Sequence, residues 1–293
     1  MQMKYCSFIL HRYTNKFLVI FLCFVLLSCL YAPTNAYVLP GPYLLEQMTQ
    51  NLGKAKSLLV SQTLVIHDDS PQKSGMKLSE TLRYVFPEMF RSDTLSKNVH
   101  RIHVLSKGEA LTVIDETVSN KSKNCYDHYK DLLLFRFRKN LQDKTFLPGV
   151  DITVSSLGRF QGKPAYILGA QYPDETVPQV WLDKDTFRPF RWIMTGKAEQ
   201  SQENNFEVRY FEWRKVHHIW YPMRIEFFAT GNLVREIHVK NIKVNPSFPD
   251  DLFNIEHLKS LYPQIASAEQ DQGNKKHLNE VQKTIEDFKK LYE

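Results

Sequence analysis

One stretch in the second half of the chain, VPQVWLDKDTFRPFRWIM at positions 177–194, restricts the possible fold most strongly. Its first part predicts a short strand. The cluster at 183–186 predicts a turn, because an Asp side chain can bond nearby backbone groups and so competes with strand pairing. After the turn, Phe190, Trp192 and Met194 recur at every second position, as in a strand. The stretch therefore predicts an antiparallel hairpin with one large apolar face.

The same alternation, with apolar residues at every second position, recurs along most of the chain. It begins at Ser57 and continues to Val244, interrupted by polar turns such as the one at 230–232. A change of phase near 240–241 predicts a β-bulge in the last strand. About ten strands of this kind are typical of one antiparallel sandwich or barrel. The sequence thus predicts a mainly β fold with few helices.

Two segments show helical spacing instead. The first begins near Pro42, which suits the first turn of a helix, and ends at Gly53, which suits a C-terminal cap. The apolar face of this helix contains Leu44, Leu45 and Met48. The segment 126–140 also has an apolar face and predicts a second helix, inserted between strands, that could cover a sheet.

The first 36 residues predict a signal peptide. Residues 1–16 carry three bases and no acid, and the apolar run at 17–27 is too short to cross a membrane but suits a signal sequence. Small residues at 34–36 predict cleavage after that segment and a protein released into the periplasm, which we favour. The alternative is a lipobox ending at Cys29, which would make this cysteine the lipidated first residue of an outer-membrane lipoprotein.

The C-terminal segment 264–293 predicts a polar linker followed by an amphipathic helix. Its apolar residues repeat at alternating spacings of three and four and are Leu278, Val281, Ile285, Phe288 and Tyr292. We expect this seam to dock on the β domain or on a partner, because an exposed apolar stripe is unfavourable. The predicted β domain occupies residues 37–263.

The search for catalytic motifs is negative. There is no glycine-rich phosphate loop, no G-x-S-x-G and no H-E-x-x-H. His217 and His218 are adjacent, so on a strand they would point to opposite faces and would not easily share a metal. Outside the predicted signal peptide only Cys125 remains, so no internal disulfide is expected. We predict no catalytic residue, no metal and no cofactor.

The charge balance argues against nucleic acid as a partner. Removing residues 1–36 lowers the formal net charge from +6 to +3, and the remaining sequence has no dense Lys/Arg stripe. A mild positive charge of this size bears on solubility rather than on recognition.

Large apolar and aromatic residues are frequent on the predicted strand faces. A curved sheet with an apolar concave face can enclose a ligand cavity. Acyl chains suit such a cavity, because each buried methylene contributes about 0.8 kcal/mol. The alternative is that the same residues fill the core of a sandwich. The candidate ligand-binding residues are Leu44, Leu45, Met48, Leu82, Tyr84, Phe86, Phe90, Phe190, Trp192, Met194, Met223, Ile225 and Phe227.

Several motifs, in order along the chain, resemble the bacterial lipoprotein-carrier family of the LolA/LolB type. The chain reads K-S-L-L-V-S-Q at 56–62, F-P-E-M-F-R at 86–91 and W-L-D-K-D-T-F-R-P-F-R at 181–191. Further on, 210–222 ends in I-W-Y-P, and V-N precedes the D-D-L-F at 250–253. The resemblance implies an incomplete antiparallel β-barrel, closed by helices on its concave face, that carries lipid-modified proteins through the periplasm.

The chain departs from the family at one position. In the best-known carriers an Arg precedes the Pro of the second motif and is assigned to holding the helical lid, whereas here the residue is Phe86. A lid held by that Arg is therefore in doubt.

Three functions follow from the resemblance. The first is a periplasmic carrier that moves lipoprotein acyl chains toward the outer membrane, with an inner-membrane lipoprotein-releasing transporter and an outer-membrane acceptor as partners. The second is a membrane-anchored acceptor, which requires lipidation at Cys29. The third is a regulatory sensor of lipid or lipoprotein that uses the same fold and contacts a partner through its tail.

Overall fold

The computed structural model describes residues 38–67, 75–96, 99–119, 125–134, 147, 149–195 and 205–262. The expected signal peptide at 1–36 and the expected amphipathic tail at 264–293 lie outside the described residues. So do the last six residues, 135–140, of the helix predicted at 126–140.

Within the described residues, thirteen strands form one antiparallel sheet. The strands are β1 (Ser57–Ile66), β2 (Met76–Val85), β3 (Met89–Leu95), β4 (His100–Ser106), β5 (Glu109–Ile114), β6 (Thr117–Val118), β7 (Ser155–Phe160), β8 (Lys163–Leu168), β9 (Gln179–Asp183), β10 (Pro189–Thr195), β11 (Asn205–Val216), β12 (Ile219–Ala229) and β13 (Asn232–Val244). The α-helices are α1 (Gly41–Leu52), α2 (Asp131–Leu134) and α3 (Ile255–Leu261), with 3₁₀ helices at Cys125–Lys130 and Asp250–Phe253.

The sheet consists of two meanders joined along their first and last strands. Strands β1 to β6 pair in sequence order, and so do β7 to β13. Strand β1 joins the two by pairing antiparallel with β13, from Leu58 opposite Val244 to Ile66 opposite Arg235. The strand order ends at β6 on one side and at β7 on the other, so the sheet is not closed into a barrel.

The pairing of β1 and β13 contains the bulge that the sequence predicts. Ser61 pairs with Asn241, and the next residue, Gln62, pairs with Val239, so Lys240 is the extra residue. A bulge inserts one residue into one strand and shifts the phase of the side chains beyond it. The phase change of the apolar residues in the last strand is thereby explained.

One face of the sheet, called the inner face here, carries the main apolar core. On it the hydroxyls of Tyr84 in β2 and Tyr221 in β12 lie 3.0 Å apart. Strands β1 and β13 separate β2 from β12, a distance of about 14 Å along a flat sheet. The sheet is therefore curved, and the inner face is its concave side.

Helix α1 packs on the inner face, against β8 and β12. Its residues Leu44, Leu45, Met48 and Leu52 are fully buried there. Burying one such side chain contributes about 1.5–3 kcal/mol, which favours docking of this short helix. The helix ends at Gly53, whose φ of 79° lies in the left-handed region that favours glycine.

The segment 125–134, called the cover segment here, also lies on the inner face. Its Tyr129 and Leu132–Leu134 belong to the main core. Helix α3 lies instead on the opposite, outer face, where Ile255 and Leu258 pack against apolar residues of β4 and β5. Among the described elements, α1 and the cover segment cover the inner face, and α3 covers part of the outer face.

The predicted fold class is confirmed: the chain is mainly β, with a single open antiparallel sheet and short helices on its concave face. Three details differ from the prediction. The sheet has thirteen strands, more than the ten expected. The first part of the helix predicted at 126–140 is a 3₁₀ helix, followed by one turn of α-helix. Helix α3 adds a cover on the outer face.

Candidate ligand-binding face

Most of the candidate residues meet in the core of the inner face. Phe86 is half-buried and packs against this core. Met223 is half-buried and lies outside it. The candidates that belong to the buried core are Leu44, Leu45, Met48, Leu82, Tyr84, Phe90, Trp192, Met194, Ile225 and Phe227.

Phe190 does not share a face with Trp192 and Met194, contrary to the predicted alternation. Pro189 pairs with Leu182 and Arg191 pairs with Trp181, so Phe190 is an extra residue in β10. Proline cannot donate to a strand ladder, and a bulge beside it reverses the phase. As a result Phe190 packs against Trp181 on the outer face, in a separate apolar cluster.

A surface groove of about 290 Å³ is lined by Phe190 together with Phe160, Arg188 and Arg209. Arg191 also lies on this side, with its guanidinium 4.3 Å from the centre of the Phe160 ring. The outer face of β7, β10 and β11 therefore carries an aromatic and arginine cluster, distinct from the apolar inner face.

The inner core is shielded from solvent. Leu44, Leu82 and Trp192 have no exposed surface, and Met194 is only 8% exposed. Binding of an acyl chain there requires α1, the cover segment or the core side chains to move.

Charged groups hold the cover segment to the sheet. Arg101 of β4 donates to both carboxylate oxygens of Asp127, over 3.0 and 2.8 Å. Lys130 Nζ donates to the backbone carbonyl of Asp127 over 2.5 Å and lies 3.5 Å from the carboxylate of Asp131. A two-pronged Arg–carboxylate pair is among the stronger polar contacts in proteins. The cover segment is therefore held in a defined position.

Electrostatics favour this pair in the closed form. Burial alone would raise the pKa of the Asp127 carboxyl, but the Arg101 guanidinium, with His103 and Lys130, outweighs it and holds the pKa well below its usual range. Asp127 is therefore ionised in the folded protein at neutral and mildly acidic pH.

Tyr129 of the cover segment reaches across the sheet. Its hydroxyl lies 3.3 Å from Gln62 Nε2 of β1, and its backbone carbonyl accepts a hydrogen bond from the hydroxyl of Tyr210 in β11, over 2.9 Å. Its ring also meets Phe227 edge-on, with centroids 5.5 Å apart. Tyr129 therefore contacts three strands of the sheet, β1, β11 and β12.

A buried carboxylate, Glu80, forms the centre of a second polar group on the inner face. Gln62 Nε2 donates to it over 2.6 Å, Ser92 Oγ over 2.5 Å and Thr94 Oγ1 over 3.3 Å. These residues come from β1, β2 and β3, at positions in phase with apolar inner residues. The donors satisfy the carboxylate and make this part of the inner face polar.

The buried tyrosine hydroxyls of the inner face are neutral donors. Burial raises the pKa of Tyr84, Tyr129 and Tyr210 well above the ordinary value, and the neighbouring Tyr221 raises that of Tyr84 further. These groups therefore act as hydrogen-bond donors and acceptors and carry no charge.

The polar residues of the inner face were missed in the sequence. A signal for them was present, because Gln62 and Glu80 each stand between apolar residues in a strand of period two, at an inner position. A polar residue in phase with buried apolar neighbours is expected to have a hydrogen-bond partner. The sequence does not show, however, which residue is the hydrogen-bond partner.

Among the described residues, no three His, Cys, Asp or Glu side chains are grouped so as to hold a metal ion. Cys125 is a free thiol. No helix in the described part of the chain is long and apolar enough to cross a membrane.

Comparisons with known proteins identify similar folds. No protein-family model matches the sequence, and no curated protein matches it. A solved domain from Vibrio parahaemolyticus, described as an outer membrane lipoprotein-sorting protein, is 10% identical, with a TM-score of 0.48 over 74% of this chain and 97% of its own.

Two further solved structures are similar. A DUF1329 family protein from Desulfovibrio piger is 13% identical, with a TM-score of 0.48 over 75% of this chain and 98% of its own. A LolA superfamily protein from Nitrosomonas europaea is 11% identical, with a TM-score of 0.45 over 75% of this chain and 100% of its own.

Proposed function

We propose that this protein binds the acyl chains of lipids or lipoproteins on its inner face, beneath α1 and the cover segment. The observation that carries the proposal is the continuous apolar core between a curved open sheet and two short covering elements. A site of this form is concave and mostly apolar, with a small number of polar groups, as ligand sites commonly are.

The energetics favour an acyl chain as the ligand. Each methylene moved from water to an apolar site contributes about 0.8 kcal/mol, so a chain of about fifteen methylenes contributes about 12 kcal/mol. This gain can offset the cost of displacing core side chains and the cover segment. A small polar ligand would bring no comparable gain.

The cover segment has the properties of an element that can separate from the sheet as a unit. It is short, and the polar contacts that join it to the sheet include those of Asp127 to Arg101 and of Tyr129 to Gln62 and Tyr210. These contacts form between residues that lie far apart in the sequence. Their loss would expose the apolar core without changing the pairing of the sheet.

In the cell we assign the protein to the periplasm, as a carrier without catalytic activity that moves acylated cargo toward the outer membrane. An inner-membrane lipoprotein-releasing transporter would supply the cargo, and an outer-membrane acceptor would receive it. The signal-like segment 1–36 supports this location. The Leu-Leu-Ser-Cys sequence ending at Cys29 favours a second candidate, an anchored acceptor of the same fold.

The test is to express the full-length protein in a bacterial host, purify it without detergent, and analyse it by native mass spectrometry and lipid extraction. We expect bound lipid or acylated peptide at one per chain, and saturable, displaceable binding of a fluorescent acyl probe after delipidation. A folded protein that carries no lipid and does not bind the probe would contradict the proposal. The mass of the N-terminal peptide of the purified protein would distinguish cleavage after Ala36 from lipidation at Cys29.

A further inference from the structure

The indole N–H of Trp192 is a buried donor without an acceptor. Trp192 is fully buried on the inner face, and its Nε1 has no hydrogen-bond partner among the residues that the structure describes. Its cross-strand neighbours are Val180 in β9 and Val208 in β11, which are also fully buried. The donor therefore lies in an apolar environment that cannot satisfy it.

Other tryptophans of the chain differ in this respect. Trp181 is equally buried on the outer face, and its indole N–H donates to Gln179 Oε1 over 3.0 Å. The indole N–H of Trp213 donates to the backbone carbonyl of Pro189 over 3.1 Å. Buried Trp N–H groups usually have an acceptor, so the one at Trp192 requires an explanation.

A second unpartnered atom on the inner face, Gln62 Oε1, has a simpler explanation. The amide of Gln62 is held by its Nε2, which donates to Glu80. The side chain of Gln62 is thus already anchored through one of its two polar atoms. The indole of Trp192 has a single polar atom and no such anchor.

We propose that the indole N–H of Trp192 donates to the ester or amide carbonyl of the bound acyl ligand. This inference rests on the proposed function and adds the chemical class of the ligand. An indole N–H is a donor only, so its partner must be an acceptor. A neutral carbonyl fits among Val180 and Val208, whereas an ionised fatty acid would bury an unpaired charge there. An ether oxygen in place of the carbonyl is a weaker acceptor and would satisfy the donor less well.

The inference predicts a preference between two matched ligands. 1-Palmitoylglycerol has an ester carbonyl, and 1-O-hexadecylglycerol has an ether in its place, with the same headgroup and chain length. We expect the full-length protein to bind the ester about tenfold more tightly, as one added hydrogen bond in a buried site allows. In Trp192→Phe, which keeps an aromatic ring but lacks the donor, the preference should disappear.

Trp181→Phe is the matched control, because it removes an equally buried indole from the outer face and should retain the preference for the ester. The indole Hε1 resonance of Trp192, assigned in the unaltered protein by its through-space contacts with the methyl groups of Val180 and Val208, should move downfield when the ester binds and much less when the ether binds. This measurement on the unaltered protein tests the contact even if the variant does not fold.

The outcomes separate the two proposals. Equal binding of ester and ether by the unaltered protein, or an unchanged preference in folded Trp192→Phe, would overturn the role of Trp192 and leave acyl binding intact. Failure of the unaltered protein to bind either ligand would instead contradict the proposed function itself.

Discussion

The two arms of the inner face differ in chemistry although they belong to one sheet. On the arm formed by β8 to β12, the inner positions are apolar and fully buried at Leu168, Val180, Trp192, Val208 and Ile225. On the arm formed by β2 to β5, buried inner positions include Glu80, Ser92, Arg101, His103 and Thr112. The first arm, called the apolar arm, suits an acyl chain, and the second, called the polar arm, carries the ion pair that fixes the cover segment.

This difference indicates that ligand binding and the position of the cover segment depend mainly on different parts of the inner face. Apolar contacts are not directional, so the apolar arm can accommodate chains of varied shape. Hydrogen bonds and ion pairs require defined geometry, so the polar arm sets one closed position for the cover segment. Changes on one arm should therefore affect one property more than the other.

The largest effect on stability is expected from the Arg101–Asp127 ion pair of the polar arm. Asp127→Asn leaves the Arg101 guanidinium buried without its counter-charge, which should lower the free energy of unfolding by about 3–5 kcal/mol. Urea denaturation of the full-length protein measures it. The cover segment should also open more often, so amide exchange within 125–134 should become faster.

The control for this change removes both charges. Arg101→Met combined with Asp127→Leu replaces the pair by apolar side chains and should recover most of the lost stability. If the double variant were no more stable than Asp127→Asn, the destabilisation would not come from an uncompensated buried charge.

The same pair predicts how stability depends on pH. The folded-state pKa of Asp127 lies below its unfolded value of about 3.9, so its stabilising contribution is complete above that value and is lost as pH falls through the folded pKa. The difference in unfolding free energy between the unaltered protein and Asp127→Asn should be constant above about pH 5 and narrow below about pH 4. A difference that stayed constant at low pH would contradict the assignment.

A smaller effect is expected where the two arms meet. Tyr84→Phe or Tyr221→Phe leaves one buried hydroxyl without the other and should cost about 1–3 kcal/mol. The double variant should cost less than the sum of the single ones, because it removes both partners of one contact. Additive losses in urea denaturation would show that the two hydroxyls are not coupled.

The smallest effect concerns ligand binding by the apolar arm. Met194→Gln places an amide on the inner face and should weaken binding of a fluorescent acyl probe about tenfold, because burying a polar group without a partner is unfavourable. Phe190→Gln makes the same replacement on the outer face and should leave the affinity unchanged. Weaker binding by Phe190→Gln alone would mean that the ligand lies on the outer face.

Local pattern was sufficient to predict parts of this fold. Helix α1 follows from its apolar spacing, from Pro42 near its start and from Gly53 at its end. The bulge at Lys240 follows from the change of phase between Ile237 and Ile242. Each of these signals lies within a few residues of the feature that it predicts.

Other parts depend on contacts that the sequence does not reveal. The apolar alternation is broken in β3, where the inner residues Ser92 and Thr94 bond Glu80 from another strand. The prediction of which sheet face Phe190 occupies was wrong. The bulge beside Pro189 depends on how β10 pairs with β9, and the sequence does not show this pairing. Contacts such as Arg101 with Asp127 form only after the sheet and the cover segment have come together.

The central claim, that acyl chains bind to the inner face, is tested most directly by two neighbouring residues of β8. Leu168 and Ile167 are adjacent and fully buried, but Leu168 belongs to the inner core and Ile167 to the outer cluster. Asn at either position should lower the urea midpoint by a similar amount, because both substitutions bury an amide. The affinity for a fluorescent acyl probe, measured on the folded variants, should fall about tenfold or more for Leu168→Asn and stay within about twofold for Ile167→Asn. Equal weakening in both variants, or weakening only in Ile167→Asn, would contradict the claim.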